Sequence, residues 1–241
     1  DRNRLLEAPT IRLYCLKLIK SQSYSMNLID LENRFLESGY IKNNENFFTR
    51  YKHNLDSARY VENFGVQWNE FQKTQLDSFT GKSQTESRLV NCSDWNLNSL
   101  KGKLLLEMAS GAGRFTEIFL KYGAIVVSVE LSNAANVNYR NNKNKNLFIV
   151  KDSLLNFNLK GVKFDYVFCY GVAQHVPNPI NVYEASVKHL KPNTGLLTID
   201  HYWKRLGNKT QKFLKGAQEL YIAEDDAWKI FNFFGESYRI R

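Results

Sequence analysis

Leu104-Leu105-Leu106-Glu107-Met108-Ala109-Ser110-Gly111-Ala112-Gly113-Arg114-Phe115-Thr116 reads as a short apolar strand that passes through a turn of small residues into a helix. Gly111 and Gly113 let backbone approach a ligand, and the N–H groups at a helix start favour an anionic group such as a phosphate or a carboxylate. The same alternation continues along the chain. Short apolar runs at 104–108, 125–129, 147–150, 166–169 and 196–199 are separated by helix-length amphipathic stretches near 114–121, 133–141 and 180–190. The last of these opens after Pro177 and Pro179 and closes before Pro192. Strands alternating with helices predict βαβ units, so the fold class is α/β with a doubly wound, mostly parallel sheet. Ligands of such sheets bind beyond the C-terminal strand ends, at the topological switch point.

Outward from this core, residues 97–203, the chain divides into three further segments. Residues 1–62 carry Leu, Ile and Tyr at helix-like spacings broken by Pro9 and Gly39, which predicts a mostly helical N-terminal accessory region. Residues 63–96 form a lid or cap segment. Phe64, Trp68, Phe71 and, after a slip, Leu76 and Phe79 predict one amphipathic helix over 64–79, ending before Gly81. Trp68, Phe71, Lys73 and Gln75 on that helix are candidates to close over a ligand. Residues 204–241 read as helix, best at 211–221 and 225–234. The polar run 141–146 reads as a loop.

With 241 residues, 43% hydrophobic and 24% charged, the chain suits one domain plus an accessory segment. Its 33 basic and 24 acidic residues give +9, which permits loose attraction to phosphates. No compact Lys/Arg cluster supports nucleic acid as a partner. Three cysteines without a CxxC pattern predict neither a disulfide framework nor a structural zinc site, and fit a reducing, cytoplasmic setting. The apolar stretch 11–19 is broken by Arg12 and Lys17, so neither a signal peptide nor a membrane span is predicted.

The strand ends carry the chemistry. Glu107 beside the glycine turn suits a ligand with an ammonium or sulfonium group and repels a pyrophosphate. Thr116 stands where the dinucleotide fingerprint GxGxxG has its third glycine, which makes a nicotinamide dehydrogenase the weakest reading. Glu130, seventeen residues beyond Gly113, can accept both hydrogen bonds of a ribose diol. Asp152, at the third strand end, can accept an adenine amino hydrogen. Together with the glycine turn these acids favour an adenosyl pocket.

Over roughly residues 63–203 the sequence resembles the class I S-adenosylmethionine-dependent methyltransferases, in particular bacterial methyltransferase-domain proteins. The likeness rests on the run from Phe64 to Ser78, on Glu107 through Thr116, and on Phe164 through Gly171 to Val172-Ala173-Gln174-His175. It implies a Rossmann-like fold and S-adenosyl-L-methionine as cofactor. By the likeness Glu107, Gly111 and Gly113 hold the methionine end, Glu130 the ribose and Asp152 the adenine, while Tyr170 and Gly171 line the floor near the methyl group. Ala109, Ser110, Arg114, Phe115, Leu131 and Ser153 complete the implied cofactor pocket. Ala109 departs from the family, which usually has glycine there, and is tolerable if its φ is negative. The family also adds an antiparallel strand pair after the fifth strand. None is legible in 204–241, so either the sheet is finished differently or the chain lacks its last part.

Methyl transfer from a sulfonium is an in-line displacement that needs a base only for a protonated nucleophile. His175 is the candidate base, Gln174 a candidate for orienting substrate, and His201 and Tyr202 further candidates at the acceptor side. His53 and His189 read as structural or exposed, and Cys169 as a buried thiol. The strand exit Cys169-Tyr170-Gly171-Val172 lacks the Pro-Pro-Tyr pattern of enzymes that methylate DNA bases. A DNA base is therefore disfavoured, and the expected acceptor is a small molecule or a glycan or lipid precursor. The alternatives are a non-catalytic cofactor-binding scaffold and an RNA-modifying methyltransferase.

Overall fold

The computed structural model of the chain describes residues 26–50 and 58–200. Five parallel strands form its centre: β3 (Leu104–Met108), β4 (Ile125–Val129), β5 (Leu147–Lys151), β6 (Tyr166–Cys169) and β7 (Leu196–Ile199). Helices α5 (Arg114–Lys121), α6 (Ala134–Asn141) and α7 (Pro179–His189) connect them. The order β5-β4-β3-β6-β7 places the switch point at β3, between β4 and β6. All five central strands fall where the sequence places them, because residues buried on both faces of a parallel sheet form near-continuous apolar runs. Leu104, Leu106 and Met108 pack with Val127, Val129 and Phe148 on one face, and Leu105, Val126, Ile149 and Phe168 on the other.

Three features differ from the sequence reading. The N-terminal region supplies helix α1 (Leu28–Glu37) but also a hairpin, β1 (Ile41–Asn44) and β2 (Phe47–Thr49), and β2 pairs parallel with β5. Its Phe48 stacks on Phe35 of α1 at 4.4 Å, so the hairpin is stabilised by partners distant in sequence. The helix predicted over 64–79 is two, α2 (Ala58–Glu70) and the short α3 (Asp77–Thr80), separated at the five-residue slip between Phe71 and Leu76 that breaks a 3.6-residue period. Phe71 and Phe79 are exposed rather than part of a buried face, although the end at Gly81 is as predicted, with φ +66°. Asn141 closes α6 rather than opening a loop. Helix α4 (Gln84–Ser93) completes the segment before the sheet. His53, His201, Tyr202 and the predicted C-terminal helices lie outside the described residues.

Candidate functional site

The glycine turn after β3 rests on a buried polar network. Glu107 and Ser128 are register partners on β3 and β4 and face α5 and α6. Glu107, only 2% exposed, accepts hydrogen bonds from the Thr116 and Ser128 hydroxyls. Asn138 of α6 donates to Ser110 Oγ, Thr116 Oγ1 and Ser128 Oγ at 2.9–3.0 Å. Asn142 donates to the Gly113 carbonyl and to Asn138 Oδ1, and Asn141 to the carbonyls of Ala112 and Gln72. Burial pushes the Glu107 carboxyl up to about 8, with the nearby Glu130 adding a smaller push in the same direction. The carboxyl of Glu107 and the hydroxyl of Ser110 therefore brace the turn from beneath.

The two glycines serve different neighbours. At Gly113, φ +87°, a Cβ would stand 2.1 Å from Asn138 Oδ1, so the network itself requires glycine. At Gly111, φ +54°, a Cβ would stand 3.1 Å from the Trp68 indole nitrogen. Helix α2 thus lies across the top of the turn, and its Gly65 approaches Ser132 and Asn133 beyond β4. Ala109 has φ +58°, against the negative value that would make its methyl group harmless, and the left-handed region costs an L-residue roughly 1–2 kcal/mol.

Glu130, 8% exposed, links the two strand exits. Its Oε2 accepts the Gly111 N–H at 3.0 Å, and its Oε1 accepts the backbone N–H and hydroxyl of Ser132 at 2.8 and 2.6 Å. Leu131, half-buried, lies between them in sequence. Arg114, at the start of α5, donates to Gln75 Oε1 and Thr85 Oγ1, which fastens the segment between α2 and α4 to α5. Lys73 is exposed, with its ammonium 5.8 Å from the Phe79 ring.

Asp152 lies apart from this constellation. Phe148 and Val150 face the α1 side of the sheet, and two residues on, Asp152 turns to the same side. Fully buried, it accepts the Tyr40 hydroxyl at 2.8 Å and the Ser153 N–H at 2.6 Å, with Arg50 4.0 Å away. Arg50 also covers the Tyr40 ring at 4.3 Å and donates to the carbonyls of Ser38, Asn156 and Asn158. Burial first, and then Asp152, hold the Tyr40 phenol protonated. The carboxylate assigned to adenine instead anchors the N-terminal hairpin, while Ser153 accepts the Leu155 N–H.

On the other side of β3, Tyr170 stacks on Phe168 at 5.8 Å and meets the Phe115 ring edge at 5.4 Å. Gly171, φ +77°, donates its N–H to Asp200 at the exit of β7. A 3-10 turn follows at Ala173–His175. Both amide atoms of Gln174 are shielded from solvent and meet no hydrogen-bond partner among the described residues. His175 stands at the surface, 5.2 Å from the Phe64 ring of α2, and partial desolvation lowers its pKa below the usual histidine value. Cys169 is buried, its thiol pushed up by burial, and His189 is buried with Nε2 3.1 Å from the Phe157 carbonyl; both are structural, as read from the sequence.

Trp68 was singled out in the sequence, but Asn138, Asn141, Asn142 and Ser132 were missed. The signal available was the helical spacing of Asn138 and Asn142 on the face of α6 that carries Ala134, Ala135 and Val137. Among the described residues no group of three or more His, Cys, Asp or Glu is placed to hold a metal, and no helix is long and apolar enough to cross a membrane.

Residues 106–198 match a family model described as a methyltransferase domain. Two relatives are named ubiquinone biosynthesis O-methyltransferase. One, from Glaesserella parasuis, is 32% identical over 42% of this chain and 46% of its own length. The other, from Pasteurella multocida, is 27% identical over 40% and 45%. The chain therefore spans under half the length of these relatives. Among solved structures, the N-methyltransferase NodS from Bradyrhizobium japonicum in complex with S-adenosyl-L-homocysteine aligns with a TM-score of 0.42 and 20% identity, over 47% of this chain and 58% of that one.

Proposed function

We propose that this chain, whose residues 106–198 carry the match to a methyltransferase domain, binds S-adenosyl-L-methionine across the exits of β3 and β4 and methylates a small-molecule acceptor. One observation carries the reading. A carboxylate at the end of the second parallel strand, Glu130, is held against the glycine turn through Gly111 N–H, beneath an aromatic lid at Trp68.

The residues fit this group at the ribose end, whereas Glu107, which the likeness gives to the methionine end, is buried and bonded to Thr116 and Ser128. Glu130 uses three of about four acceptor positions on its carboxylate. A ribose diol bound through both hydroxyls takes the fourth and turns the Ser132 hydroxyl away. Thr116, fully buried and bonded to Glu107, fills the position a pyrophosphate-binding turn leaves to glycine, which disfavours a dinucleotide. Asp152 is fully buried beneath Tyr40 and Arg50, so no adenine contact is assigned to it. When bound, S-adenosyl-L-methionine supplies a methyl carbon made electrophilic by its sulfonium sulfur. The chain's own part is to orient and to exclude water. Glu130 fixes the ribose, and Trp68, which lies over Gly111, closes the methionine end against the glycine turn. The Gln174 amide offers a donor and an acceptor to a polar group of the ligand. The names of the two relatives suggest an oxygen acceptor, and there His175, neutral above its lowered pKa, takes the hydroxyl proton.

Calorimetric titration with S-adenosyl-L-methionine and S-adenosyl-L-homocysteine, with NAD as control, tests the reading. Both adenosyl ligands should bind and NAD should not; Glu130→Ala should weaken them about tenfold or more, while His175→Ala should spare binding and lower turnover. Unchanged affinity in Glu130→Ala would sink the pocket assignment. The strained Ala109 favours a second reading, a cofactor-binding protein without turnover. Tight binding with no methyl transfer to hydroxyl, amine or carboxylate acceptors would select it.

A further inference from the structure

Between the start of α5, the exit of β6 and the segment 74–92 lies a cleft of about 830 Å³. Apart from Cys92 and the Tyr170 ring, its wall consists of hydroxyl, amide and charged side chains. Among the described residues Lys82, Arg88 and Arg114 line it, against the single carboxylate of Asp77. That carboxylate is committed to the start of α4, where it accepts the N–H of Thr85 through both oxygens and the N–H of Glu86 through one. The neighbouring acids are turned elsewhere. Glu86 meets Lys121 and Tyr122, and Glu117 accepts the backbone N–H groups of Asp77 and Ser78. Lys82 and Arg88, both exposed, make no ion pair among the described residues.

We infer that this cleft is the acceptor subsite and takes a small acceptor carrying an anionic group, a carboxylate or a phosphate, which Lys82 and Arg88 meet. Calling the ligand an acceptor rests on the methyltransferase reading above; the binding of an anion does not. Among the described residues, three cations against one committed carboxylate leave a net positive wall, and a cleft concentrates such a field on a ligand inside it. Arg114 and Tyr170 connect the cleft to the glycine turn, since Arg114 directly follows Gly113 and Tyr170 packs on Phe115.

The probes are benzoate, phenyl phosphate and uncharged benzamide, titrated into the full chain with and without S-adenosyl-L-homocysteine. At least one anion should bind, at least about tenfold more tightly than benzamide, and more weakly as salt rises. Which of the two anions binds separates a carboxylate site from a phosphate site. Arg88→Gln and Lys82→Gln should each weaken the anion several-fold, with the affinity for S-adenosyl-L-homocysteine and the urea midpoint unchanged. Equal binding of benzamide, no binding of either anion, or unaltered anion affinity in both variants overturns the inference. Binding of S-adenosyl-L-homocysteine without an anion defeats the cleft alone. Anion binding without S-adenosyl-L-homocysteine defeats the methyltransferase reading and leaves the anion site standing.

Discussion

Replacing Gly113 by alanine tests whether the glycine turn is held from beneath. At φ +87° an L-alanine pays roughly 1–2 kcal/mol for the left-handed conformation. Its Cβ would stand 2.1 Å from Asn138 Oδ1 and 2.3 Å from Asn142 Nδ2, far inside contact, so both amides must move. These amides bond to each other at 2.8 Å, and Asn142 also bonds to the Gly113 carbonyl at 2.9 Å. Leaving one buried amide unsatisfied adds about 1–3 kcal/mol. The total of about 2–5 kcal/mol is a large share of the stability of an ordinary domain. Gly111→Ala is the matched control, because its added carbon meets one face of the Trp68 side chain and no buried amide pair. Urea unfolding followed by circular dichroism should rank wild type above Gly111→Ala and Gly111→Ala above Gly113→Ala. Equal midpoints for the two variants would refute the claim that Asn138 and Asn142 impose the second glycine.

Glu107→Gln should alter the pH dependence of stability. A carboxyl raised from 4.5 to about 8 in the folded state keeps its proton while the unfolded chain loses it, so wild-type stability falls as pH rises through that window and levels above it. The glutamine variant should lack this fall when urea midpoints are compared from pH 5 to 9, and parallel curves would contradict the burial argument. Ala109→Gly relieves a φ of +58° at the cost of a more flexible unfolded chain, and a net gain of about 0.5 kcal/mol or more is expected. A loss of stability would show that the alanine is not strained. Tyr40→Phe leaves the buried Asp152 without its hydroxyl partner and should cost about 1.5–3 kcal/mol in the same assay. Little or no loss would mean that Arg50 alone suffices to hold the carboxylate.

The central fold was legible because it depends on local periodicity. Each strand is a short apolar run and each connecting helix has one buried stripe, and both patterns survive without knowledge of neighbours. The glycine turn and the acid after β4 were legible for a similar reason, since their meaning comes from position at a strand end. The hairpin was hidden. Ile41–Asn44 is exposed throughout, and Phe47–Thr49 is too short to announce itself until β5 offers an edge and α1 a covering face. The single helix expected over 64–79 proves to be two because Phe71 and Phe79 look like members of an apolar stripe, while the slip between Phe71 and Leu76 makes that stripe discontinuous.

By itself, then, the sequence determined the five parallel strands, their order along the chain and the acids that stand at their ends. Tertiary structure decided what each acid at those ends does. Glu107 faces α5 and α6 and enters a buried network, Glu130 reaches back to Gly111, and Asp152 turns to the opposite face and meets Tyr40 and Arg50. Sequence spacing records only that a carboxylate stands at a strand end. Which side of the pleat it leaves from, and which donors already fill its lone pairs there, depends on elements up to 112 residues away in the chain.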